Sequence, residues 1–269
     1  MNKSDITVII LAKNEEKNIL YAIESAKQIS FRIIVIDSGS TDKTIEIANN
    51  NGAETYYHDW LGHAKQFNWA LDNCNIDTSW VFRLDADERI SKELAEEIVH
   101  LKPNNEDVGF EMRWRVYFMK KWIKHGGTHR PFFLRLFRYG KGRAEEKLMD
   151  EHVVVQGRVN KLKNDLIHYD YKGLDEWLTK HIWYSNLELE MYYVQSDLQG
   201  GNVRQKSRRK IYYKLPLFLR ARLYFWYRYY VQLGFLDGKE GRIYAFLQAY
   251  WYRYLVDSKI YERKKNGIL

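Results

Sequence analysis

Residues 6–37 read ITVIILAKNEEKNILYAIESAKQISFRIIVID, and the changes of period inside them decide the fold. Ile6 to Ala12 is an unbroken apolar run of strand length. It is far short of the ~20 residues of a membrane helix and lacks the flanks of a signal peptide. Asn14 to Gln28 then takes helical spacing, with Ile19, Ala22, Ile23 and Ala26 on one face. Arg32 to Ile36 is apolar again and stops at Asp37. Two continuous apolar strands joined by an amphipathic helix predict a parallel, right-handed α/β sheet.

The alternation continues outward. Thr44 to Asn51 reads as a helix, Ala53 to Tyr57 as a short strand and His63 to Asn73 as a helix. Trp80 to Leu84 reads as a strand, and Ser91 to Leu101 as a helix capped by Ser91. Val108 to Tyr117 and Arg130 to Arg138 alternate apolar and basic residues, as strands do. Val153 to Gln156 and Leu166 to Tyr169 are further short strands, and together these complete a mixed sheet. From Leu174 onward the pattern is helical and aromatic. The expected domains are therefore 1–172 and 173–269, with no linker rich in Pro, Gly or Ser between them.

The composition narrows the partners. The 269 residues carry 43 Lys+Arg against 35 Asp+Glu, a net charge of +8, which favours an anionic partner. A hydrophobic fraction of 45% excludes a disordered chain. The single cysteine, Cys74, excludes an internal disulfide and reads as a core thiol. The protein is expected in the cytoplasm.

Trp80 to Ile90, WVFRLDADERI, runs an apolar strand into three acids within four positions. Like charges so close repel, and burial strengthens the repulsion. Ligands of α/β sheets bind beyond the carboxyl ends of the strands. That rule sets Asp37, Asp85 and Asp87 on one edge, where they can converge on one ligand. Carboxylates at i and i+2 can hold a divalent cation with its phosphates. Alone, D-x-D is a weak signal, and a solvated turn before the next helix is the plain alternative. Asp37-Ser-Gly-Ser-Thr-Asp42 divides the same way: its carboxylate can accept from a nucleobase N–H, or its hydroxyls can simply cap a helix.

Taken together, ITVIILAKNEEKNI, VIDSGSTDKT, DWLGHAKQFNWAL and WVFRLDADERI, in that order and spacing, resemble the family 2 glycosyltransferases. The branch they look most like is the bacterial lipopolysaccharide-core and exopolysaccharide enzymes. The resemblance covers residues 6–101 and continues more loosely through RLFRYGKGR, MDEHVVV and GFLDGKEGRIYAFLQAYWYRYLVD. It implies the α/β GT-A fold, Rossmann-like, with a mixed central sheet flanked by helices. It also implies a nucleotide-sugar donor, Mn²⁺ or Mg²⁺, and inversion at the anomeric carbon.

The resemblance assigns roles position by position. Asp37 stands where a carboxylate binds the base, usually uracil. Ala12, Asn14 and Glu15 lie on the loop that grips the nucleoside, and Gln66 and Asn68 on the helix bordering the nucleotide. Asp85 faces ribose or sugar and Asp87 binds the metal. His168 matches a further metal ligand of some GT-A enzymes, or is a histidine satisfied in a polar groove. Glu151 or Asp150 is the general base that takes the acceptor proton. Adjacent residues of an extended segment point opposite ways, so one of the two reaches. Glu88 is structural and His152 supports the site. His125 and His129 lie in the loop KHGGTHR, and Arg135 or Arg138 meets the diphosphate or acceptor, unless both simply line an exposed strand.

The C-terminal region is the second feature. Nine basic residues from Arg204 to Arg228 are interleaved with Leu, Phe and Trp. This suits an anionic membrane surface, and a lipid-linked glycan acceptor, better than a span; core packing or a dimer contact is the alternative. The leading expectation is an inverting glycosyltransferase, peripheral on the inner face of the plasma membrane. A nucleotidyltransferase is disfavoured because LAKNEEKN has no phosphate-loop glycine. A nucleic-acid-binding protein is disfavoured because no nucleic-acid module is recognisable, and no nucleic acid is expected as partner.

Overall fold

The computed structural model describes residues 1–129, 131–147, 151–194 and 212–267. The chain divides into two compact units: Met1–Tyr117 with His129–Lys172, and Phe118–Thr128 with Gly173–Leu269.

The first unit carries β1 (Ile6–Ala12), β2 (Arg32–Asp37), β3 (Glu54–Tyr57), β4 (Trp80–Asp85) and β5 (Glu88–Ile90). It continues with β6 (Asp107–Met112) and β7 (Trp114–Phe118); β8 (Lys121–Trp122) falls in the second unit. The later strands are β9 (Phe133–Arg138), β10 (Gly142–Ala144), β11 (Val153–Val155), β12 (Arg158–Lys161) and β13 (Leu166–His168). The main sheet has the order β12–β6–β9–β4–β1–β2–β3. Its half from β3 to β4 is parallel, β9 is antiparallel to both neighbours, and β12 is parallel to β6. The sheet is therefore mixed, and helices flank it.

Every residue of β1 is buried, because both faces of the sheet are covered. Val8, Ile10, Phe82 and Leu84 pack with α1 (Ile19–Ala26) and α4 (Lys92–Val99). Ile9, Leu11, Ile34 and Val81 face α3 (His63–Asn73) through Phe67 and Leu71. Each such fully buried side chain is worth roughly 1.5–3 kcal/mol. Cys74 sits in this second layer, where burial pushes its thiol up to about 11. Helix α2 (Thr44–Asn50) joins β2 to β3.

Several local expectations change. The first helix begins at Ile19 rather than Asn14, because residues 14–18 turn back to bond the loop after β2. The stretch 108–117 is two strands, not one. Arg113 divides it, and Arg113 and Arg115 both turn to buried Asp165, at 3.2 and 3.1 Å. β6 pairs with β12 in the main sheet, and β7 pairs with β13 in a second. Lastly, Glu88–Ile90 is an unforeseen strand, antiparallel to β13, with Glu88 opposite His168.

In the second unit, α5 (Leu174–Val194) packs against the last helix, Tyr252–Lys265, through Leu189, Tyr252, Val256 and Ile260. Between them lie α6 (Leu219–Trp226) and α7 (Gly238–Ala245); the last helix is α8. The loop of residues 118–128 is tied into this unit. His125 donates its backbone N–H to Asp237 at 2.8 Å, and its ring Nδ1 meets the same carboxylate at 2.8 Å. Among the described residues no helix is long and apolar enough to cross a membrane.

Candidate active site

The register of the parallel strands builds the site's rim. Ala12 lies beside Asp37 across β1–β2, and Leu11 beside Asp85 across β1–β4. Ala12, Asp37 and Asp85 therefore end their strands at one edge of the sheet.

The loops leaving that edge are laced together. Asn14 has φ +53°, a left-handed position that Asn tolerates. Its N–H donates to Ser40 Oγ at 2.8 Å, and its Oδ1 accepts from the Thr41 N–H at 2.8 Å. The Glu15 N–H donates to Thr44 Oγ1 at 2.7 Å. Asp37 is buried and accepts the N–H groups of Gly39 and Ser40, both at 2.9 Å, and the Ser40 hydroxyl at 2.5 Å. Gly39, at φ +88°, lets the backbone turn inward to do this. A carboxylate has about four acceptor positions, so three bonds leave Asp37 room for a further donor.

Gln66 and Asn68 are both buried on α3. Gln66 Nε2 donates to Ser38 Oγ at 3.1 Å and to the His58 carbonyl at 2.9 Å, bracing the turn beside Asp37. Asn68 spends both ends of its amide on the backbone of Ala144, at 3.0 and 2.9 Å. It pins β10 to α3.

At the end of β4, the buried Arg135 compensates the acids. Its Nη2 donates to Glu88 at 2.5 Å and to Asp85 Oδ2 at 3.1 Å. Glu88 also accepts the Asp85 N–H at 3.0 Å, closing the turn. Burial alone would raise the Asp85 carboxyl, yet the Arg135 and Arg83 guanidiniums hold it well below the usual carboxylate range. Glu88, with no exposed surface, is pushed up to about 7, burial being the main cause. Asp85 Oδ1 is buried without a hydrogen bond and faces Arg83 Nε across 3.6 Å.

Asp87 Oδ2 stands 3.5 Å from His168 Nε2, and the Asp87 carbonyl accepts the Tyr169 N–H at 2.9 Å. Glu15 is nearby: its carboxyl is raised first by burial and then by the charge of Asp87. That carboxylate bonds Lys172 Nζ at 2.7 Å and Asn18 Nδ2 at 2.8 Å, so it braces the first loop. Among the described residues no three His, Cys, Asp or Glu side chains gather to hold a metal by themselves. Asp87 and His168 form a pair of ligand type. Mg²⁺ and Mn²⁺ often take one or two protein ligands and complete the shell with phosphate and water, so these residues fit such an ion.

Glu151 is mostly buried, with its Oε1 3.5 Å from Arg83 Nη2. Arg83 thus lies between Asp85 and Glu151. Asp150 lies outside the described residues, as does Arg130. A ladder of rings backs the site. Trp114 stacks on Phe133 with centroids 3.8 Å apart and tilts against His168 at 5.9 Å, and Phe133 lies 6.1 Å from His152. His129 pairs with Asp165 at 2.7 Å, and Arg138 donates to the carbonyls of Asp107 and Asn104.

Sequence reasoning passed over Arg83 and Lys172. The signal for Arg83 was present: one cation in the middle of a strand that is otherwise buried demands a buried anion. Lys172 has no such signal, since it lies 157 residues from Glu15.

The family described as glycosyl transferase family 2 matches residues 7–159. The lipopolysaccharide core biosynthesis glycosyltransferase LpsC of Rhizobium meliloti is 30% identical over 272 residues, covering 97% of this chain and 93% of its own. An uncharacterised glycosyltransferase of Rickettsia conorii is 32% identical over 206 residues, covering 69% and 71%. Among solved structures, glucosyl-3-phosphoglycerate synthase of Mycobacterium tuberculosis, in complex with Mn²⁺ and UDP, is 22% identical. The match covers 41% of this chain and 44% of that one, with a TM-score of 0.34, too partial to bear on ligands.

Proposed function

The chain belongs to glycosyl transferase family 2, and on that premise we propose that it moves a sugar from a UDP-sugar to a hydroxyl of a glycan acceptor, with inversion. The observation that carries the reading is the register that ends Ala12, Asp37 and Asp85 at one sheet edge, with Asp87 on the turn beyond, facing His168 at the end of β13.

In this reading the remaining acceptor position of Asp37 takes a uracil N–H, between the Asn14 loop and the turn braced by Gln66. Asp85 Oδ1, buried without a donor, accepts a hydroxyl of the ribose or the sugar. Asp87 and His168 hold Mn²⁺ or Mg²⁺. When bound, the ion compensates the charge of the departing diphosphate.

Glu151 is the general base. It takes the proton of the acceptor hydroxyl as that oxygen attacks C1 of the donor sugar from the face opposite the diphosphate, and UDP leaves. Arg83, 3.5 Å away, holds the Glu151 carboxylate in place. One relative, LpsC, a lipopolysaccharide core enzyme by its name, supports a cell-surface glycan as acceptor. We take that acceptor to be lipid-linked and met at the inner face of the plasma membrane.

Thermal unfolding with UDP, GDP and CDP, each with and without Mn²⁺, tests the donor site, since a ligand of the folded state alone raises the transition. The expected result is a Mn²⁺-dependent rise with UDP in the wild type and none in Asp87→Ala. Absence of any nucleotide effect on a folded sample would remove the donor reading.

A further inference from the structure

Helix α6 and the turn that follows it are built inside out. Arg220 and Arg228 are buried, while Leu219, Leu223, Trp226 and Tyr230 are between 43% and 55% exposed. Their spacing of four, three and four residues sets these four on one helical face. The arginines have inward partners. Arg220 Nε donates to the fully buried Asp257 at 2.6 Å, and Arg228 Nε donates to the Gly126 carbonyl at 2.6 Å. Turning the helix over would strip both arginines of these bonds, so the same contacts that fix it hold its apolar side in water. Leu233 and Leu236, in the residues after the turn, are also 45% and 55% exposed. Single exposed apolar residues need no explanation, but a contiguous row marks an interaction surface.

The charge around the row selects its occupant. Between Asp197 and Asp237 the sequence holds nine Lys and Arg and no acid. Five of the nine, Arg204 to Lys210, lie outside the described residues, while Lys214 and Arg222 are exposed. An apolar, aromatic face on a stretch of sequence whose charges are all cationic matches acyl chains beneath anionic headgroups, with Tyr and Trp at the level of the interface.

We infer that the face formed by Leu219, Leu223, Trp226 and Tyr230 docks the chain on an anionic lipid bilayer. The face lies on the bilayer without crossing it. The inference deepens the proposed function by naming the element that meets a lipid-linked acceptor, and its test needs neither substrate.

The full chain is sedimented with vesicles of phosphatidylcholine and of phosphatidylcholine mixed with phosphatidylglycerol, at low and high salt, with tryptophan fluorescence read alongside. The expected result is binding to the anionic vesicles, weakened by salt, and at least about tenfold weaker binding to the neutral ones. Leu223→Glu with Trp226→Glu is expected to lose at least about tenfold of that binding with an unchanged unfolding transition. Should that pair disturb the fold, Lys214→Glu with Arg222→Glu is expected to weaken binding to the anionic vesicles alone.

Undiminished binding by the folded variants overturns the inference. So does an absence of vesicle binding, whether the same substitutions break a self-associated dimer, abolish RNA binding, or change nothing. Binding of UDP with Mn²⁺, measured on the same samples, separates the two readings. A chain that takes UDP but ignores vesicles loses only this one, and a chain that docks but ignores UDP loses only the donor site.

Discussion

Arg83 and Glu151 are 3.5 Å apart, joined from the middle of β4 to a segment 68 residues further on, and the other side of the same guanidinium faces Asp85. The contact sets a guanidinium beside a largely buried carboxylate, at a distance longer than a close hydrogen bond. Glu151→Gln is therefore expected to lower turnover by about a hundred- to ten-thousand-fold. The thermal shift with UDP and Mn²⁺ should stay as in the wild type. Steady-state kinetics with the donor, set beside that shift, check it; a variant with full turnover would remove Glu151 as base.

Arg135 is the counter-ion of the buried Glu88 and the partly exposed Asp85. Its removal leaves Glu88 without its guanidinium and Asp85 with Arg83 alone. Arg135→Met should cost about 3–5 kcal/mol, read from urea unfolding. Adding Glu88→Gln should return part of that loss, since the two positions act as one unit.

Glu88 gives a pH signature of known sign. Its carboxyl is raised from 4.5 to about 7 in the folded chain, so between those values the folded state binds more protons than the unfolded one. This stabilisation is complete below pH 4.5 and is lost as the pH rises through about 7. Asp85 acts oppositely and lower, below the ordinary carboxylate value of 3.8. The melting temperature is expected to fall between pH 5 and pH 8 in the wild type, and Glu88→Gln should flatten that slope.

The buried pair of Arg220 and Asp257 predicts an asymmetry in the second unit. Arg220→Leu or Asp257→Leu alone should each destabilise by about 3–5 kcal/mol, because each strands a buried charge. The double replacement should cost much less than their sum. A double-mutant cycle in urea measures it.

What the sequence made legible follows from which signals are local. The parallel half of the sheet is written in runs such as ITVIILA and RIIVI, whose length and continuity admit one reading. Asp37, Asp85 and Asp87 follow from it, because strand ends are placed once the strands are. The break at Arg113 was hidden because β6 and β7 share one alternation, and what separates them is Asp165, 52 residues away. β5 was hidden for a related reason: Glu88 is a poor strand former by type and is held in place by its partners Arg135 and His168. Asn68 adds a second case. The resemblance sets it on the helix bordering the nucleotide, and its amide bonds the backbone of Ala144, 76 residues later, a partner that no local signal gives.

The antiparallel pairing of β5 with β13 has a consequence for the order of events on the ribosome. The strands that end in Asp37 and Asp85 are complete within the first ninety residues, and domains tend to fold from the N-terminus as they emerge. The imidazole beside Asp87 comes from position 168. A nascent chain can thus form the parallel half of its sheet early, yet it carries half of its candidate cation pair until roughly twice that length has been synthesised. A divalent ion held by this pair would thereby depend on a late tertiary contact, and a truncated translation product would carry Asp87 without the imidazole that faces it.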